Sequence, residues 1–513
     1  MHVLCEINTF YQNSKKNLGD EMIKYTSTKQ LSIEEFRTPF YRGLDKNNRW
    51  VKLAQMIPWD DFAKIYAKAL CEDFGRPAID ARVVIGAMII KYKKTLPDEE
   101  TIEEIKENAY LQYFLGYEEF SHKEPFDPSL FVTLRERLGI EAFEKLNRSF
   151  IERVEKVEKG NKEKEKPHTE KNVTKNNPDT RQGKLILDAS VAPQDIRFPT
   201  DLDLLNDTRE HTERLIDMLW VPEPGKRKPV TYRKKARQSY LSLAKRKKKG
   251  VQEIRKAIRK QLCFIGRNLR TIRKLIDPQL GQPLPLNHRD LKIFWIVQEI
   301  YSQQKQMYDQ RSHQVSDRIV NVSQPYVRPI VRGKAGKDVE FGAKISASVV
   351  NGYAFLDHLS WDAYNENTHL MDQVEKYKER FGFYPEMVLG DRIYGTMDNR
   401  KYLREKGIEY SGRALGRPPK LTEEEAKLAR KKIRADAALR NRIESKFGEG
   451  KRRYDLDVVK TKTMKTSESW ISAIFFVMNL AAWLRKNLFL PFFKLIEIVK
   501  ERLLIRPKWV FCC

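Results

Sequence analysis

The stretch RNRIESKFGEGKRRY, Arg440 to Tyr454, surrounds Glu444 with six Lys and Arg side chains and one further acid, Glu449. The chain carries a formal net charge of +27, so a carboxylate retained here is a candidate for chemistry. Two more acids share a local pattern. Asp188 ends the apolar run of KLILD and Asp391 ends that of PEMVLGD, which places each at the expected carboxyl end of a buried strand, where open α/β sheets put their ligand sites. On neighbouring parallel strands, both carboxylates would project from one edge of the sheet. Helical spacing sets Arg440, Glu444 and Lys451 along one face with Phe447 beside them. The same spacing also suits a plain Arg440–Glu444 ion pair on a helix surface, and Gly448 and Gly450 weaken the helix before Lys451.

Three carboxylates in a basic protein suit a hard divalent cation. Mg²⁺ prefers oxygen ligands in near-octahedral geometry, and two such ions ~3.5–4 Å apart can hold the attacking and leaving oxygens of an in-line phosphoryl displacement. Basic neighbours then hold phosphates against repulsion from the acids.

Bringing these residues together requires an α/β scaffold. KLILD, FGAKISASVVNGYAFLDHLSW and PEMVLGD read as β-rich runs, the second folded about an Asn-Gly turn at Asn351 and Gly352. HLMDQVEKYKERFG is an amphipathic helix ended by Gly382, MDNRKYLREKG is another, IEYSG is a short strand, and a long helix runs from about Thr422 through Glu444. The order strand, hairpin, helix, strand, helix, strand, helix predicts an α/β domain with a mixed sheet. It spans residues 184–485 and is interrupted by a basic helical insertion, 223–322.

Upstream, residues 1–40 are a polar arm, and 41–152 read as an all-helical domain for DNA binding or dimerisation. Residues 153–183 are too poor in apolar side chains to bury a core and read as a charged linker. Residues 486–513 form a tail. WISAIFFVMNLAAWL, Trp470 to Leu484, is shorter than the ~20 residues a bilayer requires and contains Asn479, so it reads as a core helix and no membrane association is expected. Five cysteines without a C-x-x-C pair indicate neither a disulfide framework nor a zinc site, which fits a reducing cytoplasm.

The charge is unevenly spread. From Lys226 to Lys274 there are 20 Lys and Arg against one acid, Glu253, and the run Lys245, Arg246, Lys247, Lys248, Lys249 is its densest part. Such bias favours phosphate contact with salt-dependent affinity. LGRPPK, Leu415 to Lys420, has part of a minor-groove hook without the preceding Arg, and Trp361 is a core tryptophan by preference or a platform for an unpaired base.

The segments LILDASVAPQDIRFPTDLDLLNDTRE, VRPIVRGKAGKDVEFGAKISAS, LSWDAYNE, YPEMVLGDRIYGTMDNR, GRALGRPP and RNRIESKFGEGKRRY together resemble a bacterial insertion-sequence DDE transposase with an N-terminal helical transposase domain. The resemblance implies an RNase H-like core with Asp188, Asp391 and Glu444 as an acidic triad binding two Mg²⁺ ions, or Mn²⁺ in their place. Arg440 and Lys451 match the Arg and Lys of the Y-R-E-K signature. The Tyr of that signature does not match, because Ala437 stands three residues before Arg440. The implied partners are DNA, as terminal inverted repeats and as target, and further copies of the chain in a dimer or larger synaptic complex. The implied reaction is strand cleavage by water followed by attack of the freed 3′-hydroxyl on another phosphodiester. The same acids would also serve a nuclease without strand transfer, and a DNA-binding repressor derived from a transposase is a further reading.

Overall fold

The computed structural model describes residues 43–70, 79–164, 181–222, 224–225, 227–279, 283–334, 337–412, 416 and 422–504. The arm at 1–40 and all but Gly416 of the hook-like Leu415 to Lys420 lie outside these residues.

The N-terminal segment is helical, as its periodicity predicts: α1 (Arg49–Met56), α2 (Trp59–Ala67), α3 (Ala81–Lys94), α4 (Asp98–Glu107), α5 (Ala109–Leu115), α6 (Leu130–Arg137) and α7 (Ile140–Lys164). Asp80 caps α3 by accepting from the amides of Arg82 and Val83, and the helix is buried from Val83 to Tyr92. Helix α7 continues to Lys164, beyond the start of the linker expected at 153. Its charges alternate in sign at helical spacing, Val154 is buried, and Glu158 pairs with Lys486 at 2.6 Å, so this stretch has both local and tertiary support.

The sheet is mixed and six-stranded. Strand β1 (Lys184–Pro193) lies between β3 (Lys337–Val350), antiparallel to it, and β5 (Met387–Leu389), parallel to it; β6 (Glu409–Tyr410) continues the sheet beyond β5. The long β3 also pairs with β2 (Arg328–Lys334) and β4 (Tyr353–Ser360). The β3–β4 hairpin turns at Asn351 and Gly352, with φ of 52° and 87°. These are the left-handed conformations a two-residue hairpin needs and that Asn-Gly supplies. Strand β2 lacked a clear signal because Pro329 and Gly333 interrupt it; it is an edge strand, where proline is tolerated.

Helices α12 (Leu370–Phe381) and α13 (Met397–Glu405) connect β4 to β5 and β5 to β6, and α14 (Glu423–Arg453) follows. Helix α15 (Met464–Leu504) extends well into the expected tail. Its part from Met464 to Asn487 is long and apolar enough to cross a bilayer, yet 83% of its apolar window is buried inside the protein. The N-terminal helices, α15 and the sheet share one hydrophobic core, in which Phe62 and Phe143 touch Phe476. Asn479 is fully buried there and fully used: its Oδ1 accepts from the Ala354 amide at 2.8 Å, and its Nδ2 donates to the Ala354 carbonyl at 2.7 Å and to Asn147 Oδ1 at 2.9 Å. One side chain thereby satisfies the open edge of β4 and ties it to α7.

Between β1 and β2 the chain forms helices α8 (Asp201–Leu219), α9 (Arg233–Ala244), α10 (Val251–Ile276) and α11 (His288–Gln310). A second hydrophobic core joins α8, α10 and α11 through residues such as Leu205, Ile216, Ile265, Leu269, Val297 and Ile300. Helix α8 therefore packs with the basic insertion, although it precedes the 223 boundary read from the sequence. Arg209 on α8 is buried and held by Glu213 at 2.5 Å and Asn206 at 2.8 Å.

Candidate active site

The parallel pairing of β1 with β5 sets the register Lys184 to Met387, Leu185 to Val388 and Ile186 to Leu389. Asp188 and Asp391 each stand two residues past that last rung, Asp188 within β1 and Asp391 in the loop that leaves β5. One expectation changes. Asp188 lies within β1, not at its end, because residues 189–193 keep pairing with β3 after β5 has stopped. The short β5 leaves this side of Asp188 open, and Asp391 begins a single 3₁₀ turn, Arg392–Tyr394, by accepting the Arg392 amide at 2.9 Å.

Helix α14 brings the third acid. Its N-terminus is closed by Thr422 and Glu425 in a reciprocal capping box, and Ile443, Phe447 and Gly450 form its buried side. The helix runs unbroken through Gly448 and Gly450 to Arg453. A Cβ on Gly450 would meet Leu456 Cδ2 at 2.9 Å and Met478 Sδ at 3.1 Å, so this glycine serves close packing of the helix. Arg440 Nη1 donates to Asp391 Oδ1 at 2.9 Å. Glu444 lies one turn further along and is exposed, and Lys451 follows on the same helix, half-buried. The alternative of a plain Arg440–Glu444 pair is not what forms; Arg440 reaches the sheet.

Burial pushes the Asp188 carboxyl up to about 6, against the stabilising Ala189 amide at 2.8 Å, and the charges of Glu366, Asp391 and Glu444 add to the rise. Asp188 thus senses both other predicted acids. It also senses Glu366, which the sequence reading left without a role although it lies in the quoted DAYNE. Glu366 opens the 3₁₀ turn Glu366–His369 and pairs with Lys344 at 3.0 Å. The buried Tyr394 belongs to the same neighbourhood: burial raises its phenol far above the ordinary value, and Glu366 and Asp188 raise it further. Among the described residues no group of three or more His, Cys, Asp or Glu side chains is gathered closely enough to hold a metal ion, so Asp188, Asp391 and Glu444 share a neighbourhood without forming a site. The oxygen donors offered are those of carboxylates at a sheet edge, with Arg440 occupying one of them.

The remaining predicted residues lie elsewhere. Lys245, Arg246, Lys247, Lys248 and Lys249 are exposed on the turn between α9 and α10, where Arg246 pairs with Glu253 at 2.8 Å, and the core beneath them is separate from that beneath the acids. The stretch expected to be helical is broken at this turn, which leaves the five cations clear of helix packing. Trp361 is a core residue: it is buried, its Nε1 donates to Glu468 at 3.0 Å and its ring meets Tyr326 edge-on at 4.5 Å.

Residues 388–481 match a family model described as "Transposase DDE domain", and residues 39–137 match one described as "Transposase domain (DUF772)". The first includes Asp391, Arg440, Glu444 and Lys451 and begins after Asp188. Over 102 residues the chain is 36% identical to a Rhizobium meliloti protein described as "Uncharacterized protein ORF8 in nfe locus", which covers 20% of this chain and 49% of that protein. The chain therefore spans about half the length of the curated relative it matches. No solved structure matches the chain significantly. The two family matches, in this order along one chain, are those of an insertion-sequence DDE transposase.

Proposed function

We propose that the protein binds the ends of an insertion sequence and catalyses divalent-metal-dependent DNA strand cleavage and strand transfer. The observation that carries this reading is the matched offset of Asp188 and Asp391, each two residues past the last rung between the parallel β1 and β5, with α14 delivering Arg440 to Asp391 and Glu444 one turn beyond. We read the sheet and its helices, residues 184–485, as an RNase H-like catalytic domain, the helices before residue 152 as a DNA-binding or dimerisation domain, and the basic insertion as a DNA-holding module.

The donor chemistry suits Mg²⁺ or Mn²⁺, which would draw the three carboxylates together on binding. The donors are hard carboxylate oxygens, and Asp188 carries an ionisation penalty, first from burial and then from its acidic neighbours, that a cation offsets. When bound, such ions supply positive charge against the phosphodiester and increase the acidity of the attacking hydroxyl. Asp188, Asp391 and Glu444 would hold them. Arg440, which now neutralises Asp391, is placed to turn its guanidinium to a DNA phosphate, and Lys451 extends the same cationic side of α14. The exposed cations from Lys245 to Lys249 hold DNA away from the cut. The two element ends are brought together in a dimer or larger assembly, in a bacterial cytoplasm on the nucleoid.

Incubating labelled element-end DNA with the protein and Mg²⁺ tests the proposal: nicked and joined products support it. Cutting without joining would replace it with a nuclease, and binding without cutting would replace it with a repressor.

A further inference from the structure

A cavity of about 370 Å³ lies between the N-terminal helices and the segment that follows α14. Lys91, Tyr92, Asp98 and Arg135 line it from one side, and Lys460 and Trp470 from the other. The first four fall within the N-terminal family match and the last two within the DDE match. It is therefore a site built jointly by the two matched regions, and none of the three predicted acids lines it.

Its charges do not balance. Lys91 and Arg135 are both buried and both converge on Asp98: Lys91 Nζ at 2.7 Å, Arg135 through two N–H groups at 3.0 and 2.8 Å. One carboxylate thus faces two buried cations. Lys91 also donates to the Leu96 carbonyl at 2.7 Å, which satisfies a proton of Lys91 and neutralises nothing. At the rim, exposed Lys460 pairs with Asp455 at 2.7 Å, and Lys462 adds a further cation. The buried part thus holds two cations against one acid, and the two rim lysines are open to solvent. An uncompensated charge out of water is costly, so this arrangement favours an incoming anion. Burial lowers the Lys91 pKa from the ordinary lysine value; Asp98 opposes this, and the nearby charges of Arg135 and Lys460 add to the lowering.

Trp470 closes one wall of the cavity and is more than nine-tenths buried. We propose that this cavity binds a phosphate group that offsets the surplus positive charge of Lys91 and Arg135 over Asp98, with the exposed Lys460 and Lys462 at its mouth. The phosphate comes either from DNA or from a free phosphate compound. The walls of Tyr92, Trp470, Leu96 and Val132 leave room for apolar parts of a larger ligand beside it.

The test is titration of the full chain with inorganic phosphate in metal-free buffer at constant ionic strength, with chloride as control, for wild type, Lys460→Gln and Lys462→Gln. Saturable binding is expected, weakened at least ~5-fold in each variant by the loss of one charge. Both lysines are on the surface, so neither variant disturbs the core. Phosphate that displaces end DNA from wild type but not from Lys460→Gln identifies DNA as the source; DNA binding indifferent to phosphate identifies a free phosphate compound. Absence of saturable phosphate binding, or equal affinity in wild type and Lys460→Gln, overturns the proposal.

Discussion

At the scale of single residues, Asp188 is the most informative. Its carboxyl is raised to about 6 by burial first and by Glu366, Asp391 and Glu444 after it. A folded-state pKa above the unfolded one means the folded protein binds the proton more tightly, so without metal, stability falls as pH rises from about 4 through about 6. Asp188→Asn removes this loss. In urea melts at pH 7 without divalent ions it is expected to be more stable than wild type by on the order of 1–3 kcal/mol, with the difference gone near pH 4. A less stable variant at pH 7 would contradict the electrostatic picture. Adding Mg²⁺ is expected to raise the melting temperature of wild type and leave Asp188→Asn nearly unmoved. Asp188 and Asp391 were legible because each closes an apolar run with an acid. Glu366 was not, since it sits on a 3₁₀ turn with neither strand alternation nor helical period to set it apart.

Single elements show why some predictions needed the tertiary structure. The Asn-Gly hairpin and the capped, amphipathic helices carry their signals locally and form where expected. Strand β2 and the end of α7 depend on distant partners, β3 and Lys486, which no local window contains. Asn479 illustrates the reverse: an amide in an apolar run counted against a membrane span, but its reason for being there is the edge of β4. Asn479→Leu keeps the volume and strands the Ala354 amide and carbonyl and Asn147. Chemical denaturation is expected to show a loss of about 2–4 kcal/mol; a change below about 0.5 kcal/mol would mean that water or a shift of the strand replaces those bonds. Gly450→Ala tests the packing of α14. Its methyl group has to displace Leu456 or Met478, and a destabilisation of about 1–3 kcal/mol is expected in the same assay.

For the whole molecule, the balance of +27 is unevenly placed. The cations from Lys245 to Lys249 stand exposed above a small core of Tyr240, Leu243 and Ala257, so replacing them with Gln removes charge and the surface Arg246–Glu253 pair without touching that core. Affinity for end DNA is expected to fall, and the slope of log affinity against log salt to flatten by about 2–4, at roughly one unit per lost phosphate contact; an unchanged slope would show that DNA passes elsewhere. The central claim is that Asp188, Asp391 and Glu444 act together. Its most direct test is the initial rate of Mg²⁺-dependent nicking of element-end DNA by wild type and by the three single alanine variants, each checked for unchanged DNA affinity. The account predicts a fall of at least ~100-fold in every variant, as expected when a metal ligand is removed. Nicking at the wild-type rate by any one of the three would contradict it.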